Sequence, residues 1–538
     1  MRSWIAHRRN TELALIVFAV AIAAFGHAAA GLAMDDDVPS GLLTHVAGLG
    51  ALALTAHLAV RRFARHADPL ILPVTVLLSG IGLVLLDRLD HAYAEHYPPD
   101  NYQSAAAAPD QVIWSVVGVG LFVATIVLLR HHRVLQRYTY LGMAVAMLLL
   151  MAPAFFGADQ FGAKRWITLG PLSVQPGEFV KVMIVVFFAS YLMTNRDALA
   201  LVGRRILGLA LPRGRNAGPV LLVWAVSLVV LFYERDLGTS LLFFCVFIVM
   251  LYIATERTSW VVLGGLMAAL GTVVVASTQQ HVKGRVQAWL DPMAIFLPPD
   301  QRPPGLISDQ SAQALFSFGA GGLTGTGLGE GHSYLVGFAG RSDFILATVG
   351  EELGLAGVTL VILLYVLLIQ RGLSAAMAAT DPFGKLLAAG LSTVLAIQVF
   401  IVSGGVTGLI PLTGKALPFL AQGGSSTVAN WLLVALLIRV SDGAGKAATE
   451  PEGNATILVP VIRDTAPAPD PLSGPDRRAG TYPDRRSATY PDRRAGTYPD
   501  RRSDTYPDRR SGTDPDPGAG RPGPDLGDSP GAPVRRTP

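Results

Sequence analysis

Apolar residues come in blocks along this chain rather than scattered through it. Twelve blocks, over roughly 12–33, 41–60, 69–86, 111–129, 138–156, 178–194, 218–233, 239–254, 260–277, 344–370, 383–404 and 424–440, are each long enough to be a buried helix. A stretch of about 20 apolar residues crosses the hydrocarbon layer of a bilayer. In that layer the backbone must satisfy its own hydrogen bonds, which a helix does. The pattern predicts an all-α polytopic integral membrane protein with about twelve transmembrane helices. Its first block follows Arg2, Arg8 and Arg9, as a signal peptide would. It is longer than a signal peptide's apolar region, so an uncleaved helix is expected.

The polar stretches between blocks assign the sides. Segments 1–10, 61–66, 130–137, 195–216, 254–259 and 371–382 hold 16 Lys and Arg in 64 residues, whereas the intervening loops 87–110, 157–177, 234–238, 278–343 and 405–423 hold 9 in 135. Basic residues stay on the cytoplasmic side. The first set is therefore placed inside, and both termini are expected in the cytoplasm of a cell whose plasma membrane the chain crosses many times. Three regions follow: an N-terminal two-helix extension (1–66), a membrane core (67–440) with its largest outward loop at 278–343, and a tail (441–538).

The tail has no apolar blocks. PDRR recurs from Pro475, Pro483, Pro491, Pro499 and Pro507, with Thr-Tyr before each of the last four. No repeat carries an aliphatic face, so stacking the repeats would bury nothing, and a disordered cytoplasmic tail is expected. Its mixed charge leaves contact with membrane lipid headgroups open.

Composition agrees with a membrane protein. Half the residues are hydrophobic and 15% are charged, against about a quarter in soluble domains. The lone Cys245 lies within an apolar block, so no internal disulfide, Cys-based metal site or CxxC redox motif is available. The net charge of +4 is small, and no nucleic-acid partner is expected.

Two outward loops carry candidate chemistry. In 157–177, Lys164 and Arg165 bring positive charge to the outer side, beside Trp166. A phosphate-bearing headgroup would want such charge, though an interfacial anchor explains the trio as well. Glu178 and Lys181 follow at i, i+3, on one helical face. Charges at that depth must pair or line a wet cavity; if they line one, Lys181 is a pyrophosphate ligand. Loop 278–343 offers Asp291, Asp300 and Asp309, then glycines from Gly319 to Gly327. No strand precedes those glycines and no Walker lysine accompanies them, so turns or close helix approach explain them better than a nucleotide does. A positioned carboxylate, or a metal it holds, can deprotonate a sugar hydroxyl.

Taken in order, these segments resemble the RodA/FtsW/SpoVE family. The likeness rests on Gly162-Ala163-Lys164-Arg165-Trp166-Ile167, Gln175-Pro176-Gly177-Glu178 with Lys181, Asp236-Leu237-Gly238-Thr239, Gly319 to Gly327, Ser342-Asp343-Phe344-Ile345, Gly350-Glu351-Glu352-Leu353-Gly354, and Gly408-Leu409-Ile410-Pro411 through Gln422-Gly423-Gly424-Ser425-Ser426. The two added N-terminal blocks and His131 to Tyr138 look like actinobacterial RodA-type members. The resemblance implies a ten-helix core preceded by two helices. It implies a peptidoglycan glycosyltransferase that polymerises lipid II and works with a class B penicillin-binding protein. Lys164, Arg165, Trp166, Glu178, Lys181, Asp343, Glu351, Ser425 and Ser426 become candidate substrate-binding residues. The family's catalytic Asp sits in a DP-x-G-x-G-YQ pattern. Here Ser308-Asp309-Gln310 resembles its tail, Pro303 stands where the Asp belongs, and Asp300 lies three residues further back. Asp300 and, second, Asp291 are the candidate bases, with Mg2+ or Mn2+ as a candidate cofactor. A lipid II flippase and a non-catalytic scaffold remain as alternatives.

Overall fold

The computed structural model describes residues 2–98, 100–101, 106–160, 163–169, 172–200, 202–206, 209–212, 222, 225–226, 236–306 and 308–449. The tail repeats and most of the block at 218–233 lie outside the described residues. Helices dominate, because the apolar blocks have no competing way to satisfy their backbone. In chain order those of eight residues or more are α1 (Arg2–Asp35), α2 (Leu42–Phe63), α3 (Ile71–His96), α4 (Ala108–Leu128), α5 (Thr139–Phe156), α6 (Pro176–Ala200), α7 (Leu237–Thr255), α8 (Thr258–Thr278), α9 (Gln280–Leu290), α10 (Gln310–Gly321), α11 (Ile345–Glu352), α12 (Gly354–Ala378), α13 (Pro382–Val406) and α14 (Gly424–Thr449). Ten of the described helices are long and apolar enough to cross a membrane, and the apolar part of α5, Thr139–Pro153, is shorter.

Burial separates centre from periphery. The apolar windows of α13 and α14 are 78% buried and that of α3 72%, whereas those of α1, α2, α8 and α12 are 28% buried. The first three helices therefore form the middle of the bundle, and the other four turn most of their surface outward. Close approach is arranged with small residues, as expected where lipid supplies no hydrophobic drive between helices. A Cβ on Gly82 of α3 would run into the carbonyls of Phe419 and Leu420.

Those two carbonyls belong to the most unusual stretch, the non-helical segment between α13 and α14. Leu417, Phe419 and Leu420 are buried. The backbone is held by side chains from the surrounding helices: Tyr365 Oη donates to Pro418 O (2.5 Å) and Gln398 Nε2 to Ala416 O (2.9 Å). Irregular backbone is tolerated this deep only when protein groups satisfy it.

Three expectations change. The block at 344–370 is two helices, broken at Leu353–Gly354, where Gly354 adopts φ +64°. Both sides of the break are apolar, so hydropathy does not reveal it. The loop 278–343 is largely folded, carrying α9, a 3-10 turn at Pro292–Phe296, α10 and a second 3-10 stretch at Ser333–Arg341. Short antiparallel strands also occur: β1 (Ala158–Gln160), β2 (Ala163–Leu169) and β3 (Leu172–Val174) form one sheet, with Ile167 opposite Val174, and β4 (Val202–Ile206) pairs with β5 (Leu209–Pro212).

Both readings open from sequence for the glycines of 319–327 are realised: Gly322 and Gly327 adopt positive φ in the turn after α10, and Gly321 and Gly325 serve close approach. A Cβ on Gly321 would meet Gly350 O, and one on Gly325, at φ +85°, would meet Glu352 O. Thr326 N and Gly327 N donate to Glu351 O and Glu352 O at 2.9 and 3.0 Å. The end of α10 is thus sewn to the break between α11 and α12.

A buried charged cluster at one end of the bundle

Glu178 and Lys181 occupy the first two turns of α6, just after Pro176 at its start. Their spacing brings the side chains together, and Lys181 Nζ donates to Glu178 Oε2 at 2.7 Å. Lys181 also donates to Gln398 Oε1 of α13 (3.0 Å) and Asn430 Oδ1 of α14 (2.8 Å). Its three N–H donors are all engaged, and the side chain is buried.

The other carboxylate oxygen of Glu178 accepts from Lys415 Nζ at 3.1 Å, and Lys415 stands 3.4 Å from Asp236 Oδ2. Asp236 caps α7: its Oδ1 accepts from Thr239 N (2.9 Å) and its Oδ2 from Thr239 Oγ1 (2.7 Å). Arg165 of β2 approaches Asp236 at 3.9 Å while its guanidinium lies over Trp166. Arg165, Asp236, Lys415, Glu178 and Lys181 form one ion chain linking β2, α7, the segment before α14 and α6.

Burial alone would raise the Asp236 carboxyl, but Lys415, Arg165 and the Thr239 bonds outweigh it and hold it below its ordinary value. Burial likewise works against charge on Lys415, and Asp236 and Glu178 outweigh it to raise its ammonium. Both groups stay ionised in the interior because each meets its opposite.

Arg285 of α9 lies beside this chain. Its Nη1 donates to Thr413 O at 2.8 Å, which docks α9 on the segment carrying Lys415. Burial and the nearby Arg165 pull its pKa below the ordinary guanidinium value, while Asp343 and Asp236 act the other way. Arg165, Lys181, Lys415 and Arg285 face Glu178, Asp236 and Asp343, so the region keeps an excess of positive charge.

The sequence candidates divide. Arg165, Glu178, Lys181 and Asp343 fall in this region. Ser425 accepts from Gln175 N (2.8 Å) and Ser426 from Asn430 Nδ2 (3.2 Å), which tie the start of α14 to it. Lys164 lies on β2, its side chain outside the described set. Glu351 belongs to a second cluster, where its oxygens accept from His332 N (2.6 Å) and Ser333 Oγ (2.5 Å), next to the ion pair of Arg88 with Glu352.

Neither candidate base has a hydrogen bond or ion pair into the cluster. Asp291 is exposed and caps the 3-10 turn, accepting from Met293 N and Ala294 N at 3.2 Å. It follows α9 directly, six residues after Arg285, so it stands ~9 Å further along that helix axis. Asp300 is exposed in a turn closed by Gln301 N to Pro298 O. Arg302, two residues on, donates from Nε to Leu297 O (2.8 Å).

Sequence reasoning passed over Lys415, Arg285, Gln398 and Asn430 as site residues. Gln398 and Asn430 did leave a signal, as lone polar side chains within apolar helices.

A helical bundle with ten described helices apolar enough to cross a membrane and paired ionised groups gathered at one end defines a polytopic membrane protein with a buried charged cluster. The chain belongs to the FtsW/RodA/SpoVE family, whose model, described as "Cell cycle protein", matches residues 69–445. It is 45% identical over 445 residues to the peptidoglycan glycosyltransferase RodA of Mycobacterium tuberculosis, covering 81% of this chain and 91% of the relative. It is 32% identical over 380 residues to the probable peptidoglycan glycosyltransferase FtsW of Trichlorobacter lovleyi, covering 70% and 93%. A solved structure described as "Structural coordination of polymerization and crosslinking by a peptidoglycan synthase complex" has the same fold, with a TM-score of 0.52 and 24% identity over 70% of this chain and 98% of that one.

Proposed function

We infer that this chain is a peptidoglycan glycosyltransferase that polymerises lipid II at the outer face of the cytoplasmic membrane. The observation that carries the reading is its 45% identity, across most of both chains, to a mycobacterial protein of that activity. The buried cluster supports it: its excess positive charge suits the pyrophosphate of an undecaprenyl-linked donor.

In this reading both termini are cytoplasmic and the charged end of the bundle faces outward. Asp300, with Asp291 second, takes the proton of the acceptor's GlcNAc 4-hydroxyl. The freed oxygen pair forms a bond to the donor's anomeric carbon as the bond from that carbon to the pyrophosphate oxygen breaks. Undecaprenyl pyrophosphate departs with that electron pair, and attack from the opposite face turns an α-linked donor into a β-1,4 linkage. Arg285, Arg165 and Lys415 offset the charge developing on the leaving group. No third carboxylate or histidine gathers around Asp291 or Asp300 among the described residues. Mg2+ or Mn2+ there would be held by one or two carboxylates together with substrate phosphates. A class B penicillin-binding protein is the expected partner, in keeping with the similar solved complex, in which polymerization and crosslinking are coordinated.

The test is glycan polymerisation by the purified full-length protein, supplied with lipid II, alone and with its penicillin-binding protein. Glycan ladders digestible by muramidase are expected. Removing a general base costs about 10²–10⁴-fold in rate, so Asp300→Ala should lose that much while folding normally. No polymer from a folded sample with its partner present would refute the reading and favour a flippase or scaffold. Near-full activity in both Asp300→Ala and Asp291→Ala would move the base elsewhere.

A further inference from the structure

The helices α1 and α2 precede the family match, which begins at residue 69, yet they carry their own buried ionisable groups. His27 of α1, His45 in the first turn of α2 and Asp87 of α3 converge from three helices. One ligand atom from each lies within 4.8 Å of the others. His27 Nδ1 stands 3.4 Å from Asp87 Oδ2, and His45 Nε2 stands 3.8 Å from Asp87 Oδ1. The imidazoles meet edge to face with centroids 4.7 Å apart.

These separations are too long for hydrogen bonds, whose donor–acceptor distances run to about 3.2 Å. The same molecule shows what a bonded His–carboxylate pair looks like: His57 with Glu12 is 2.7 Å and His132 with Asp381 is 2.8 Å. At the triad the groups face one another across a gap instead. A tetrahedral zinc site with ligand bonds of about 2.0–2.2 Å sets neighbouring ligand atoms ~3.3–3.6 Å apart. The His27–Asp87 distance falls on that edge, and the His45–Asp87 distance, to the other carboxylate oxygen, lies just beyond it, within reach of a small rotation of the carboxylate.

The surroundings give these groups little else to do. The small cavity beside them is lined by apolar Val20, Ala23, Leu49 and Val84. His27 is buried, and neither His27 Nε2 nor His45 Nδ1 has a hydrogen-bond partner. No hydrogen bond therefore fixes either ring.

We propose that His27, His45 and Asp87 form a binding site for a divalent transition metal, zinc first, that clamps the N-terminal helix pair to the first core helix. Two histidines and a carboxylate are a zinc donor set with a fourth position left to water. Binding requires both imidazoles neutral, so zinc should displace protons as it enters. This site is separate from the charged cluster and independent of the proposed polymerase activity.

The experiment uses untagged full-length protein in detergent, stripped with chelator, dialysed against Zn2+ and analysed for bound metal and thermal midpoint. One zinc per chain is expected, with a midpoint raised by zinc and a visible d–d band when Co2+ replaces it. His45→Ala with Asp87→Asn should abolish all three effects, and His27→Gln should do so independently. His45 and Asp87 are part-exposed, so their replacement leaves the core intact. Equal zinc in parent and variants, or a parent midpoint that zinc does not move, would overturn the proposal. So would a midpoint that responds to pH but not to metal, which is the outcome of a plain histidine–aspartate ion pair.

Discussion

Lys181 answers to three partners on three helices, and this is why a single atom there matters. Removing one member of a buried pair costs about 3–5 kcal/mol. Lys181→Met would leave Glu178 with Lys415 alone and would strip Gln398 Oε1 and Asn430 Oδ1 of their donor. A loss toward the lower end of that range is expected, read as a fall in thermal midpoint, together with impaired polymerisation. Unchanged melting and unchanged activity would mean that the contacts of Lys181 carry no net energy. Asp236 gives the same cluster a pH signature. Its carboxyl is held below the ordinary 3.8, so the stability it contributes is present above that value and is lost as pH falls through its lowered range. Lys415 is raised above 10.5, so its contribution persists until the pH rises past that point. The stability gap between the parent and Asp236→Asn should therefore be flat across neutral pH and close only in strong acid. A gap that changed between about pH 6 and 8, where histidine titrates, would mean that Asp236 is not held ionised as described. At this scale sequence reading saw half the picture. The i, i+3 spacing announced the Glu178–Lys181 pair, but nothing local announces Lys415, which meets Glu178 from 237 positions away.

Helices were legible because a membrane span writes its length into hydropathy. What hydropathy cannot write is where an apolar run breaks or which backbone it touches. The α11–α12 break and the folded content of 278–343 were hidden for that reason, and the strands at 158–174 were hidden among glycines and polar residues. The glycines of α10 and its exit let this be tested. Gly325 sits at φ +85° with Glu352 O where its Cβ would go, whereas Gly319 has open space at that position. A left-handed backbone costs a non-glycine residue roughly 1–2 kcal/mol before any clash. Gly325→Val should lower the melting temperature clearly. Gly319→Ala, inside a helix, should leave it unchanged or raise it, since alanine is favoured there by roughly 0.5–1 kcal/mol. Equal effects from both substitutions would show that the seam between α10 and Glu352 is not what these glycines serve.

At the scale of the molecule, every member of the charged cluster lies at the end where α6, α7 and α14 begin, and the basic loops 61–66 and 371–382 lie at the other. That segregation, with the positive-inside rule, is the basis for the proposed orientation, with α9 and α10 outside. The orientation can be checked at two positions that are exposed in the fold. Gln301 lies in the turn beside Asp300, and Thr380 lies between α12 and α13. With Cys245 replaced by alanine to clear the background, a cysteine at Gln301 should react in intact cells with a membrane-impermeant maleimide. One at Thr380 should react only after permeabilisation. The pair must give opposite results, because an odd number of crossings, the single membrane span containing α12, separates them. Labelling of Thr380→Cys in sealed cells with protection of Gln301→Cys would invert the protein. It would also place the cluster on the side where lipid II is made rather than where it is polymerised, and the glycosyltransferase reading would fall with it.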